Sequence, residues 1–269
     1  MLLKIFRHEF KKLRSLSFIL YGAMIVLGVI MGVSCRVLFR SMESDSTTNG
    51  LLVATSSMMI MVSGLAVAAV STVLEICVIY RFYRAVSSDE AYLTFTLPVS
   101  MKEQFWARFL VMLLYTVLSF LALSVAVALF ALIAIPSYAL NDFFENIKTI
   151  FAEIVQSGSA EAWLLIVEGI VCLIASLLMN VAETMLAVLL AHSLSRKHKA
   201  GTTIGMLIGL GYVQGIILRL ITIPFAVATS LGTLSVHLII SITAIACAAL
   251  FVVSVVWSLR LLNKKLNLD

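Results

Sequence analysis

The sequence predicts an all-α polytopic membrane protein with six transmembrane helices. Two observations predict it. Hydrophobic residues make up 62% of the 269 and charged residues only 12%, against about 45–50% and about 25% in a soluble domain. Mean hydropathy is +1.10, and the apolar residues fall in long runs that are nearly free of charge. A water-soluble globule is excluded, because the polar residues cannot cover one. Disorder is excluded by the same balance. Three prolines and 13 glycines exclude a low-complexity or collagen-like chain. The runs are continuous rather than alternating, which excludes a membrane barrel. The whole chain, 1–269, reads as a single transmembrane domain.

The elements follow in order. Leu2, Phe6, Phe10, Leu13 and Ser17 recur at intervals of four and three, the face of one helix. Lys4, Arg7, His8, Lys11 and Lys12 lie mostly off that face. Residues 1–16 therefore read as a basic amphipathic helix in the membrane interface; the plainer alternative is a positive anchor for the first span. About 20 apolar residues cross a bilayer, and spans are expected at about 17–39, 51–80, 105–135, 161–192, 200–220 and 235–259. The run Leu220–Leu259 is too long for one span and short for two. An additional membrane-embedded piece is therefore expected before the last span. Between the third and fourth spans, Asn141–Gln156 places Phe143, Phe144, Ile147, Ile150, Phe151 and Ile154 on one face, with Asp142, Glu145 and Glu153 on the other. It reads as a helix on the outer membrane surface.

Charge placement sets the expected orientation. With the N-terminus inside, 15 of the 19 Lys and Arg lie on the inner side, and Arg36, Arg40, Lys148 and Arg219 lie outside. Both termini are expected in the cytoplasm. The net charge of +5 sits at the ends of apolar runs, so it is not a nucleic-acid signal. The first apolar stretch is too long for a signal peptide and no A-x-A site follows it. Gly32-Val33-Ser34-Cys35 lacks the Leu of a lipoprotein site. Cys35, Cys77, Cys172 and Cys247 lie inside apolar segments, without ligand spacing, and read as small packing residues.

The inner segment between the second and third spans is the most informative. Ser87 and Glu90 form a capping-box pattern, and Asp89 and Glu90 suit the positive end of a helix. Pro98 ends that helix at Leu97. Ser100 and Glu103 repeat the box at the start of the third span. A short cytoplasmic helix is expected over residues 88–97, carrying Tyr92, Leu93, Phe95 and Leu97. Such apolar side chains in a loop serve either as a docking surface or as packing against the bundle ends.

Arg81-Phe82-Tyr83 and Ser88-Asp89-Glu90-Ala91-Tyr92-Leu93-Thr94-Phe95-Thr96-Leu97-Pro98-Val99 resemble the permease subunits of bacterial type 2 ATP-binding-cassette exporters, in which D-E-G-Y-L-T-F-T-L-P-V recurs. Ala91 stands where the pattern has Gly. The motif covers about a dozen residues, and the six-span layout is similar over the whole chain. The resemblance implies a bacterial cell-membrane permease that exports substrate by alternating access. It implies that Asp89, Glu90, Tyr92, Phe95, Leu97 and Pro98 couple to a separate ATPase subunit, which binds the ATP and magnesium. It implies a second permease copy, identical or related, and a short re-entrant piece on the outer side before the last span, which Leu220–Leu234 fits, with Pro224 breaking it and Gly232 before the final span.

Gly201, Gly205 and Gly209 form overlapping GxxxG units, and Gly211 with Gly215 and Gly28 with Gly32 form others, spacings that let helix backbones approach closely. They serve packing within one subunit or a seam between subunits; the resemblance implies a seam through the first and fifth spans. Glu75, Glu168 and Glu183 lie in or near spans, as functional carboxylates or as partnered and snorkelling ones. His237 reads as a hydrogen-bonded surface histidine and Arg219 as an outer anchor. No GxxxxGK[ST], HExxH or GxSxG is present, so no cofactor, metal or catalytic site is expected in this chain. The rival functions are an ATP-independent secondary transporter, for which no internal repeat is seen, and a non-transporting immunity or sensor subunit.

Overall fold

The computed structural model describes residues 2–43, 49–87, 100–135, 140–142, 144–149, 152, 160–195, 199–227 and 233–265. Six long helices run through them: α1 (Leu2–Glu43), α2 (Asn49–Ser87), α3 (Met101–Ala134), α4 (Ala160–Leu194), α5 (Lys199–Val227) and α6 (Thr233–Lys265). All six are long and apolar enough to cross a membrane, and no described residue is in a strand. The chain is thus all-α with six candidate spans.

Two boundaries differ from expectation. The expected division between an N-terminal helix over 1–16 and a span from 17 is absent. α1 is one helix of 42 residues, about 63 Å at 1.5 Å per residue, roughly twice the thickness of a hydrocarbon core. No Gly or Pro lies between Leu2 and Tyr21, so nothing in the sequence ends the helix there. The second difference is at Pro224. α5 continues through it to Val227, so the first part of the expected extra piece belongs to α5. A single proline removes one backbone bond, and apolar helices tolerate that. Residues 228–232 lie outside the described residues.

The chain divides into two compact units. One comprises Met1–Phe10, Val78–Thr116 and Ser159–Asp269, the other Lys11–Cys77 and Val117–Gly158. In the first unit, α4 packs along α6 and α5, and α5 touches α6. Its core joins Phe82 and Val86 of α2, Phe105, Phe109 and Met112 of α3, Val181, Ala182, Met185, Val188 and Leu189 of α4, and Val255 and Leu262 of α6. Ala107, Ala182, Ala187 and Ala191 are wholly buried, which lets the helices approach. Phe109 stacks with Phe105 and tilts against Phe251, at centroid separations of 6.3 and 5.9 Å. α5 contributes little to this core, and its apolar window is uncovered by the chain.

The second unit is built on small residues of α1 and α3. Met24, Tyr21, Leu74 and Ala122 form its core, and the Tyr21 hydroxyl pairs with Ser119 Oγ at 3.3 Å. A Cβ at Gly28 would stand 2.6 Å from the carbonyl oxygen of Ala126, and one at Gly32 would stand 3.0 Å from Ile133 Cβ. The close approach that these glycines permit is therefore made within the chain, against α3. In this unit the expected surface helix over 141–156 is helical at 140–142, 144–149 and 152, with Lys148 donating to Glu145 at 2.7 Å.

Candidate functional site

The residues of the expected coupling helix, Asp89, Glu90, Tyr92, Phe95, Leu97 and Pro98, lie outside the described residues. Their two flanks are described. On one side α2 ends with Phe82, Ala85 and Val86 buried. On the other, the Glu103 backbone N–H donates to Ser100 Oγ at 3.3 Å, and the Gln104 N–H to the Ser100 carbonyl at 3.2 Å. Ser100 thus caps α3 as its sequence context predicts. Just inside, Phe105 and Phe109 enter the same core as Phe82 and Val86. The two helix ends that flank the motif in the chain are both anchored in apolar packing.

The N-terminal end of α1 is fixed to this region. Arg81 Nε donates to Glu9 Oε2 at 3.0 Å, and Arg81 Nη2 lies 3.0 Å from the same oxygen, with both side chains mostly covered. The Tyr115 hydroxyl donates to the Phe10 carbonyl at 2.7 Å, and the Tyr115 and Phe10 rings stack at 5.4 Å. The basic residues Lys4, Arg7 and His8 stay exposed. Glu9 was not singled out by periodicity; the signal was its being the only acid among those bases. Gln104 and Arg108 are also buried in this unit. In sequence Arg108 served only as an inner-side marker.

A second polar group joins α4 to α6. His237 Nδ1 lies 2.8 Å from Glu168 Oε2, and Ser241 Oγ donates to Glu168 Oε1 at 3.2 Å. Ser241 sits four residues after His237, so both reach one side of α6. The expectation of a hydrogen bond for His237 holds; its partner is the carboxylate of Glu168, and Glu168 has the internal partner weighed for it. The spacing within each helix was visible, but the pairing of α4 with α6 was not.

Glu183 is half-buried on α4 and makes no hydrogen bond or ion pair among the described residues. Glu75 lies on an exposed face of α2. Gly201, Gly205, Gly209, Gly211 and Gly215 of α5 have nothing within 4 Å of an added Cβ. Their open faces contrast with the occupied faces of Gly28 and Gly32. The four cysteines are free thiols, and no group of metal-binding side chains occurs among the described residues.

Comparisons with protein families, with curated proteins and with solved structures return no match. The functional reading therefore rests on the residues themselves.

Proposed function

We propose that the chain is the membrane-spanning permease subunit of an ATP-driven exporter in a bacterial cell membrane. Two copies, or one copy and a related chain, enclose the path. A separate ATPase subunit binds ATP and magnesium, and its closure shifts the path from inward-facing to outward-facing. The observation that carries the reading is the motif over residues 88–99 placed between two buried helix ends. Movement forced on that segment by a partner reaches Phe82, Val86, Phe105 and Phe109, and through their shared core α4 and α6. The Glu9–Arg81 pair adds the start of α1 to the same unit. On this reading the exposed Lys4, Arg7 and His8 meet lipid headgroups from the cytoplasmic side, as an interfacial stretch of α1. The open glycine face of α5 supplies the seam to the second copy.

The experiment is co-purification of the ATPase with the double variant Tyr92→Ala, Phe95→Ala. An aromatic anchor in a pocket contributes about 2 kcal/mol or more, so ATPase recovery should fall at least about tenfold while membrane insertion stays normal. Unchanged recovery with unchanged transport contradicts the docking role and favours ATP-independent transport.

The orientation has its own check. Single cysteines introduced at Asp45 and Lys148 in a background without native cysteines should react with an impermeant maleimide from outside. Cysteines at Asp89 and Lys197 should react only after the membrane is opened. Outside labelling at residue 89 ends both the orientation and the coupling proposal.

A further inference from the structure

Three helices of the first unit share one core near their ends: α2 through Phe82 and Val86, α3 through Phe105 and Phe109, and α6 through Val255 and Leu262. Phe109 of α3 lies against Phe251 of α6 at a centroid separation of 5.9 Å. That contact sets the register of two antiparallel helices. Lys102 and Arg260 lie seven and nine residues beyond it, about 10 and 14 Å along the axes. Trp106 and Trp257 lie three and six residues beyond it, about 4 and 9 Å.

The outer faces of these helices carry a repeated order. On α3, Lys102, Trp106 and Leu110 stand four residues apart on one face, and all three are exposed. On α6, Arg260, Trp257 and Val253 stand three and four apart, and all three are exposed. Each face thus reads base, aromatic, apolar from the helix end inward. Trp106 is 36% and Trp257 49% exposed. The Trp106 ring is held edge-on by Phe105 and Phe109, at 5.7 and 5.4 Å. At the end of α2, Tyr80 and Arg84 are exposed four residues apart. The first turns of α1, fixed to this unit through Glu9 and Arg81, add exposed Lys4, Arg7 and His8. Glu9 is covered by its pairing with Arg81. Among the described residues of these four helix ends, Glu103 is the only exposed acid.

That order selects what lies against it. A soluble anion needs the bases but not the indoles or the aliphatic residues behind them. An acidic protein segment needs bases that run across the helix ends, whereas here each base is backed along its own helix by aromatic and then apolar surface. A phospholipid offers the matching order in one molecule. Its phosphate meets the bases, its glycerol region meets the indoles, which favour that depth of a membrane, and its acyl chain meets Leu110 and Val253. The excess of bases selects the headgroup, since basic residues near a membrane surface are drawn to anionic lipid. We propose that this end of the unit binds anionic phospholipid, with Lys102 and Arg260 on the phosphate and Trp106 and Trp257 at the glycerol level. The proposal does not use the exporter reading.

The chain has three tryptophans, and the third serves as a control. Trp163 is exposed at the opposite end of the unit, five residues before Glu168, which bonds His237 near the start of α6. The test uses the full chain carrying Trp163→Phe in phosphatidylcholine vesicles. Its fluorescence is quenched by phosphatidylglycerol or by phosphatidylcholine, each brominated high in the acyl chain. The relative binding constant should favour phosphatidylglycerol at least about fivefold, the worth of one base at an anionic surface. Combining Lys102→Gln with Arg260→Gln should bring that constant within about twofold of unity. Salt at about 0.5 M should weaken the preference of the unchanged bases. Soluble glycerol phosphate should not displace the lipid, which separates a headgroup held in the membrane from a free phosphate ester. In the converse chain, Trp106→Phe with Trp257→Phe, the Trp163 emission should report no preference. Equal quenching by the two lipids at Trp106 and Trp257, the same preference at Trp163, or a preference intact in the charge variant each overturns the site. The first two comparisons keep both bases, so they decide the matter even where the charge variant fails to fold.

Discussion

Replacing Gly28 by leucine should lower the melting temperature of the purified chain by roughly 6–12 °C. A Cβ there already stands 2.6 Å from a backbone carbonyl oxygen of Ala126 and 3.0 Å from the Ala126 Cβ. Backbone cannot swing aside as a flexible side chain can, so α1 and α3 must separate. Overpacking of this kind costs about 3 kcal/mol, and each kcal/mol is worth about 2–4 °C in a chain of this size. Separation also withdraws Met24, Tyr21 and Ala122 from one another. The contrast is Gly205→Leu with Gly209→Leu on α5, where the chain offers no obstacle. That variant should melt within about 2 °C of the parent. Should α5 form the seam between copies, it will instead lower the yield of crosslinked dimer. Equal melting of Gly28→Leu and the parent would show that the α1–α3 crossing is looser than its geometry.

Arg81→Ala should cost about 3 kcal/mol, because it leaves the Glu9 carboxylate covered and without its cation. Side-chain exposures are 16% for Arg81 and 13% for Glu9, low enough for desolvation to matter. Removing one member of a covered pair costs about 3–5 kcal/mol, whereas removing both costs far less. The double variant Glu9→Gln, Arg81→Ala should therefore recover much of the loss, giving a coupling of at least about 1 kcal/mol in a double-mutant cycle. Limited proteolysis supplies an independent readout. Cleavage after Lys4 or Arg7 should accelerate in Arg81→Ala and return toward the parental rate in the double variant. Additive losses would mean that Glu9 and Arg81 stabilise the chain separately.

These two sites differ in how far the sequence discloses them. The spacing of Gly28 and Gly32 announces a close helix approach, since four residues bring two glycines onto one face. It does not say which helix approaches. The structure answers α3 for that pair and leaves Gly201, Gly205 and Gly209 uncovered by the chain. The six spans were legible because hydrophobicity is a local, additive property. Their pairing was not, because every apolar face can pack against every other. Glu168 illustrates this: it is conspicuous in an apolar run, while Ser241, which bonds it, is one ordinary serine in α6. The continuity of α1 was not legible for another reason. A change from basic amphipathic to uniformly apolar residues alters the surroundings a helix prefers, but leaves its backbone bonds intact. Pro224 misled in the opposite sense, as a residue that weakens helix locally without ending it.

The core that joins Phe82, Phe109, Met185 and Leu262 draws on positions 180 residues apart in a chain of 269. Its members leave the ribosome in order, Val255 and Leu262 after the rest. Until α6 has entered the membrane, the surface of α4 that it covers has no permanent neighbour. A nascent chain halted in α5 is therefore a distinct species, with Glu168 not yet joined to His237 and Ser241. Deletions confined to α6 should lower abundance in the cell more than their share of the sequence suggests, by accelerating turnover rather than by slowing synthesis.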